Sequence, residues 1–275
     1  MTQFDSNQWA LILGGSSGFG LATAKRLSRD GLSICIVHRD RRGSMPAIEA
    51  EFEQIRSHGN GFVALNLDAL SADGRARTLD ELHEAMGPDG RLRVLLHSIA
   101  FGNLKPIAPV RPDDGGEPAE GQPLIEDEDM TRTIYSMGTT LLSWVQDAFA
   151  RGLFASDARV FGLTSEGNQV AWRGYAAVSA AKAALESISR SIAVEFAPYG
   201  IRSNIIQPGV TDTRALRAIP GHDRMKDVAQ QRNPFGRLTR PEDVANFISL
   251  MCTDAAGWVN GAIIPVDGGE RIAPM

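Results

Sequence analysis

Leu11-Ile12-Leu13-Gly14-Gly15-Ser16-Ser17-Gly18-Phe19-Gly20-Leu21-Ala22 joins an apolar run to a helix start through a glycine-rich turn. Glycine lets a backbone turn tightly and come close to a ligand. The open amide groups of the first helical turn, with the positive end of the helix dipole, favour a pyrophosphate at that point. Gly20 and Ala22 leave room for the helix to pack against the strand it follows. Spaced glycines alone also mark ordinary turns. The position of these, at the first apolar run of an alternating chain, is what makes them informative.

Further apolar runs recur at Trp9–Leu13, Ser33–Val37, Gly61–Leu67, Leu92–Leu96, Arg159–Leu163, Ile201–Ile206 and Ala262–Val266, and each reads as a buried strand. Helical spacing separates them at Phe19–Arg29, Ala47–His58, Gly74–Met86, Asp129–Arg151, Arg173–Phe196 and Pro241–Met251. Strands alternating with helices predict an α/β fold, a single doubly wound Rossmann domain over residues 1–275. Its parallel sheet of about seven strands carries helices on both faces. The ligand crevice of such a sheet lies beyond the carboxyl ends of its strands. Two segments depart from the alternation. Residues 109–129, rich in Pro, Gly, Asp and Glu, read as an exposed acidic loop inserted after the fourth strand. Residues 211–240 form a connection too long for a plain turn and read as a substrate-binding lid.

With 275 residues, 43% of them hydrophobic and 22% charged, the chain can bury one sizeable core. A net charge of -5 argues against a nucleic-acid partner held by overall charge. Cys35 and Cys252 provide neither a disulfide framework nor a metal cluster, so no metal site is expected. No apolar stretch reaches membrane-spanning length and the start is polar, which predicts a soluble cytoplasmic protein.

Chemistry enters at Gly174-Tyr175-Ala176-Ala177-Val178-Ser179-Ala180-Ala181-Lys182. An offset of seven residues returns Tyr175 and Lys182 to nearly the same helix face, so both can point into one cleft. A phenol can protonate a developing oxyanion, and a neighbouring ammonium favours its ionised form. Taken alone, the pair reads first as a core tyrosine and a solvated lysine, and the rest of the chain decides the matter.

Together with Gly14, Gly18 and Gly20, these residues resemble the short-chain dehydrogenase/reductase superfamily, over nearly all of the chain except the acidic loop. Leu13 stands where that fingerprint normally has threonine. The resemblance assigns cofactor contacts to Gly14, Ser16, Ser17, Gly18, Phe19 and Gly20. It also assigns them to His38, Arg39 and Arg41 after the second strand, and to the adenine-binding pair Leu67-Asp68. Arginines at the second strand's end suit a ribose 2′-phosphate, which favours NADPH. Asp40 in the same run keeps NADH possible.

His97-Ser98-Ile99-Ala100-Phe101 resembles the His-Ser-Ile-Gly-Phe segment of enoyl-acyl-carrier-protein reductases, with Ser98, Ile99 and Ala100 at the cofactor. The Tyr-x6-Lys spacing is similar to that same branch. Val178 holds the position of the ketoreductase tyrosine, and Ser136 that of their relay asparagine. Ser165 lies ten residues before Tyr175, where some enoyl reductases have a second tyrosine. It also falls in the slot of the ketoreductases' substrate-binding serine, and both readings stay open. Pro208, Gly209, Thr211 and Thr213 match the superfamily's Pro-Gly turn at the nicotinamide and pyrophosphate, and Lys182 its ribose-binding lysine.

The resemblance thus implies reduction of the 2,3 double bond of a trans-2-enoyl thioester by NADPH, with Tyr175, Lys182 and Ser165 as the catalytic group. The substrate's carrier would be an acyl-carrier protein or coenzyme A, and the Ile264–Gly269 ending implies a homotetramer. Basic lid residues, Arg214, Arg217, Arg224, Lys226, Arg232, Arg237 and Arg240, could steer an acidic carrier. The alternatives are a 3-ketoacyl or other carbonyl reductase, and a non-catalytic NADPH-binding sensor or scaffold.

Overall fold

The computed structural model describes residues 4–5, 7–111, 117–118 and 120–273. Seven parallel strands form one sheet in the order β3-β2-β1-β4-β5-β6-β7. They are β1 (Gln8–Leu13), β2 (Ser33–His38), β3 (Phe62–Asn66), β4 (Arg91–His97), β5 (Phe154–Leu163), β6 (Ile201–Pro208) and β7 (Ile263–Val266). The helices are α1 (Gly18–Arg29), α2 (Met45–Arg56), α3 (Ala72–Met86), α4 (Asp127–Ile134), α5 (Thr140–Ala150), α6 (Ala176–Glu195), α7 (Arg214–Arg217), α8 (His222–Arg232) and α9 (Pro241–Met251).

Alternation along β1 builds two cores from one strand. Trp9, Leu11 and Leu13 face a cluster with α3, α5 and α6, while Ala10 and Ile12 face one with α1, α2 and α9. Both sheet faces are therefore covered, as the sequence predicts for buried parallel strands. Strand order reverses between β1 and β4, which opens a crevice at their carboxyl ends.

Two expected helices are corrected. The run expected at Asp129–Arg151 begins two residues earlier, with α4 at Asp127, and a π-helical turn at Tyr135–Thr139 divides it into α4 and α5. Hydrophobic spacing cannot register one widened turn. Gly138 supplies the reason for close packing there, since a Cβ on it would lie 2.7 Å from the Ala181 carbonyl oxygen of α6. The helix expected from Arg173 starts at Ala176, with Tyr175 at its N-cap. Of the acidic loop at 109–129, residues 112–116 and 119 lie outside the described residues. Its two ends are tied together by Val110 N–H donating to Gln122 (2.7 Å) and Ile125 N–H donating to the Pro106 carbonyl (3.0 Å).

At the opposite end of the sheet, arginines cap α9. Arg93 donates to the Cys252 carbonyl (2.8 Å) and Arg159 to that of Met251 (3.1 Å), satisfying the orphan carbonyls of the helix terminus. Asp157 pairs with Arg93, Arg159 and Arg202. Arg159 is fully buried. Arg159→Leu should lower unfolding free energy by about 2 kcal/mol, because it removes a buried guanidinium that caps α9, while the half-exposed Asp157 keeps Arg93 and Arg202. Urea denaturation checks this, and a loss under about 1 kcal/mol would reduce the cluster to a surface feature.

Candidate active site

Gly14 turns the chain at the end of β1 with φ +85°, and its N–H donates to the Val37 carbonyl (2.8 Å). A Cβ there would meet the Ser98 carbonyl oxygen at 2.5 Å, and one on Gly20 would meet the Gly14 oxygen at 2.3 Å. The turn, the start of α1 and the end of β4 are thus in backbone contact. Ser17 caps α1 in an extended conformation without a side-chain cap bond. The first-turn amides at Gly18, Phe19 and Gly20 remain directed outward, as an anion requires. Thr213, at the N-cap of α7, lies 3.5 Å from a Cβ placed on Gly18. The Pro208-Gly209 turn and Thr211 come to the same end of the sheet. They are held there by Val210 N–H on the buried Glu270 (3.2 Å) and by the Thr211 hydroxyl donating to the Gly209 carbonyl (3.0 Å).

At the end of β2 the charges separate. Asp40 turns inward, its carboxylate nearly buried and bonded to Ser16, His38 and Arg214. Burial raises its pKa, but these three bonds outweigh that and hold it below the ordinary carboxylate value. Arg39 stays exposed and touches Asp68 at 3.2 Å. Asp68 also accepts from Leu70 N–H (3.0 Å), and Leu67 N–H donates to the His38 carbonyl (2.9 Å). The expected cofactor residues therefore gather along one crevice, while Ser16 spends its hydroxyl on Asp40.

Beside them the end of β5 meets α6. Ser165 Oγ and Tyr175 Oη are 3.3 Å apart, and Lys182 Nζ donates to the Leu163 carbonyl (2.7 Å). The structure thus brings Tyr175, Lys182 and Ser165 to one place. Val178 is buried in an apolar cluster with Met137 and Ala181 and offers no donor. One electrostatic expectation is reversed. Burial raises the Tyr175 pKa, only partly offset by the Ser165 bond, so the phenol stays protonated at neutral pH. Lys182 is buried, and desolvation lowers it to about 8 against the opposing charge of Glu186. His97 is pushed to about 3 by burial and by Lys182, and its Nε2 lies 2.8 Å from Thr140 Oγ1. It is a neutral group at the end of β4.

A cavity of about 520 Å³ opens against Tyr175, walled by Pro106, Ile107, Val110 and Trp172 with Arg111 and Arg173 at its edge. Sequence reading missed these residues, although the segment after β4 lies at the crevice end of the sheet. The lid region does not line this cavity. Its basic rim is also largely neutralised: Arg217 pairs with Asp212, Lys226 with Asp223, Arg237 with Asp243, and Arg232 with Glu166 and Glu270. Among the described residues no group of His, Cys, Asp and Glu could hold a metal ion, and no helix is long and apolar enough to cross a membrane.

A family model described as Enoyl-(Acyl carrier protein) reductase matches residues 14–270. Cis-4-hydroxycyclohexanecarboxylate dehydrogenase of Sinomonas cyclohexanicum is 32% identical over 94% of this chain and 95% of its own. The 1-cyclohexenylcarbonyl-CoA reductase of Streptomyces collinus is 29% identical over 98% and 88%. Among solved structures, a short chain dehydrogenase from Burkholderia cenocepacia J2315 in complex with NADP superposes with a TM-score of 0.78, at 25% identity over 98% and 99% of the two chains. The chain belongs to the enoyl-(acyl carrier protein) reductase family of short-chain dehydrogenases/reductases, and is an oxidoreductase of that class.

Proposed function

We propose that this protein reduces the 2,3 double bond of a trans-2-enoyl thioester at the expense of NADPH. The observation that carries the reading is the protonated Tyr175 phenol in the lining of a largely apolar cavity, with valine at 178 where a ketoreductase would have its donor. A bound nicotinamide cofactor would supply the hydride, to the β-carbon of the substrate. Negative charge then grows on the thioester oxygen, where the Tyr175 hydrogen bond strengthens most and lowers the barrier, and a proton taken up at the α-carbon completes the saturated thioester. Ser165 orients that phenol, and Lys182 holds the ribose and adds positive charge. Arg111 and Arg173 offer cations to a phosphate on the substrate's arm, whether coenzyme A or carrier protein.

NADPH is preferred here because Asp40 is turned inward onto internal donors, whereas Arg39 stays exposed with only a surface contact to Asp68. Arg39→Ala should raise KM for NADPH about 10- to 100-fold and leave KM for NADH nearly unchanged. Equal effects on both cofactors would remove Arg39 from phosphate recognition.

A second reading is reduction of a carbonyl, favoured by Ser165 beside Tyr175, since two hydroxyls can share one carbonyl oxygen. Crotonyl and acetoacetyl thioesters offered with NADPH separate the two. Faster oxidation of NADPH with the crotonyl substrate supports the enoyl assignment, and the reverse order overturns it. Tight NADPH binding without turnover of either would instead make the protein a sensor. A homotetramer in the cytoplasm goes with the family reading, and light scattering on the purified protein tests the assembly.

A further inference from the structure

The last three residues leaving β5 are each held by a different polar side chain of the α6 segment. Lys182 donates to the carbonyl of Leu163 (2.7 Å), and Tyr175 meets the hydroxyl of Ser165 (3.3 Å). Between them, the hydroxyl of Thr164 donates to Glu186, a buried carboxylate one helical turn beyond Lys182. The same Glu186 oxygen accepts from the Asn168 side chain, so the loop that follows Ser165 is tied back as well. A buried carboxylate is costly unless it is bonded and paired, and none of the chemistry described above uses this one.

We propose that Glu186 is a positioning residue of this site: it keeps the Lys182 ammonium charged and holds the Ser165 hydroxyl in register with Tyr175. The inference rests on Lys182 as the group that holds the cofactor's ribose. Lys182 is stripped of water, and Glu186 is the opposite charge acting on it. His97 at the end of β4 is neutral, and Tyr175 on the same helix face keeps its proton. The neighbouring turn 135–140 brings only the Tyr135 phenol, bonded away to the Leu70 carbonyl, and hydroxyls. Glu186 therefore sets how far the lysine stays protonated. Its second function is mechanical, because Thr164 and Asn168 flank Ser165 on either side.

The test is the pH dependence of NADPH affinity and of kcat/KM in wild type and Glu186→Gln, which keeps the shape and removes the charge. Wild type should lose affinity as pH rises through about 8, where Lys182 gives up its proton. In the variant that limb should move down by about one unit, a roughly fivefold loss of affinity at pH 8. Thr164→Val should leave the limb in place and lower kcat, because it cuts the tie and not the charge. An unmoved limb in Glu186→Gln overturns the electrostatic role, and an unchanged kcat in Thr164→Val overturns the register role. If the Gln variant does not fold, Glu186→Asp decides: the retained charge should keep the limb and the shorter reach should lower kcat, and a limb that moves overturns the proposal. NADPH binding needs no substrate, so failure of wild type on every enoyl thioester would sink the substrate reading separately.

Discussion

Tyr175→Phe is expected to lower kcat on an enoyl thioester by about 10²–10⁴-fold while changing NADPH affinity by no more than about twofold. The hydroxyl removed belongs to a tyrosine that lines the cavity, and valine at 178 cannot replace it. Its ground-state contact is a single 3.3 Å approach to Ser165, so removing it should cost little in folding. On the proposed mechanism, what disappears is a bond that strengthens as charge grows on the substrate oxygen, and such a loss appears in kcat more than in KM. Because burial keeps the phenol protonated, Tyr175 contributes no loss of activity between pH 6 and 8. The basic limb belongs to Lys182, active below about 8 in its charged form and lost as pH rises through that value. Stopped-flow and steady-state rates on the two proteins measure the effect. A phenylalanine variant that turns over like wild type would remove Tyr175 from the chemistry and pass the burden to Ser165.

Much of this was readable in the sequence because two kinds of signal are strictly local. Alternating apolar runs report which strands are buried on both faces, and the Gly14–Gly20 spacing reports a turn whose geometry only glycine tolerates. Tyr175 and Lys182 both meet the end of β5, but Tyr175 sits at the N-cap and not within the helix, and of the two only Tyr175 lines the cavity. Other features depend on tertiary proximity. Asp40 reads as a ribose ligand until Arg214, 174 residues later, turns out to claim it. The lid's arginines read as a basic rim until their partners Asp212, Asp243, Glu166 and Glu270 are placed beside them. Glu186 is inconspicuous on its helix until the end of β5 is laid against it. In each case, charge counted along the chain overstates charge available to a ligand, because pairing happens across the fold.

Gly14→Ala is expected to weaken NADPH binding by about 100-fold or more and to lower unfolding free energy by about 2–4 kcal/mol. The substitution adds one methyl group, so its effect has to come from geometry. At φ +85° an L side chain is strained, which accounts for about 1 kcal/mol. The remainder comes from the Ser98 carbonyl, 2.5 Å from the new Cβ at its oxygen and 3.0 Å at its carbon. Neither side has room to yield. Gly14 is fixed to β2 through its bond to the Val37 carbonyl, and Ser98 is fixed to β1 by its N–H on the Leu13 carbonyl (2.9 Å). Relief must therefore part the β1 turn from the end of β4, the two backbones that would line the proposed pyrophosphate site. Gly43→Ala is the matched control, since a Cβ there meets nothing within 4 Å. It should leave stability within about 0.5 kcal/mol of wild type. Fluorescence titration with NADPH and urea denaturation give both numbers. If Gly14→Ala binds NADPH as wild type does, the cofactor does not lie against this turn, and the glycines at 14, 18 and 20 serve packing alone.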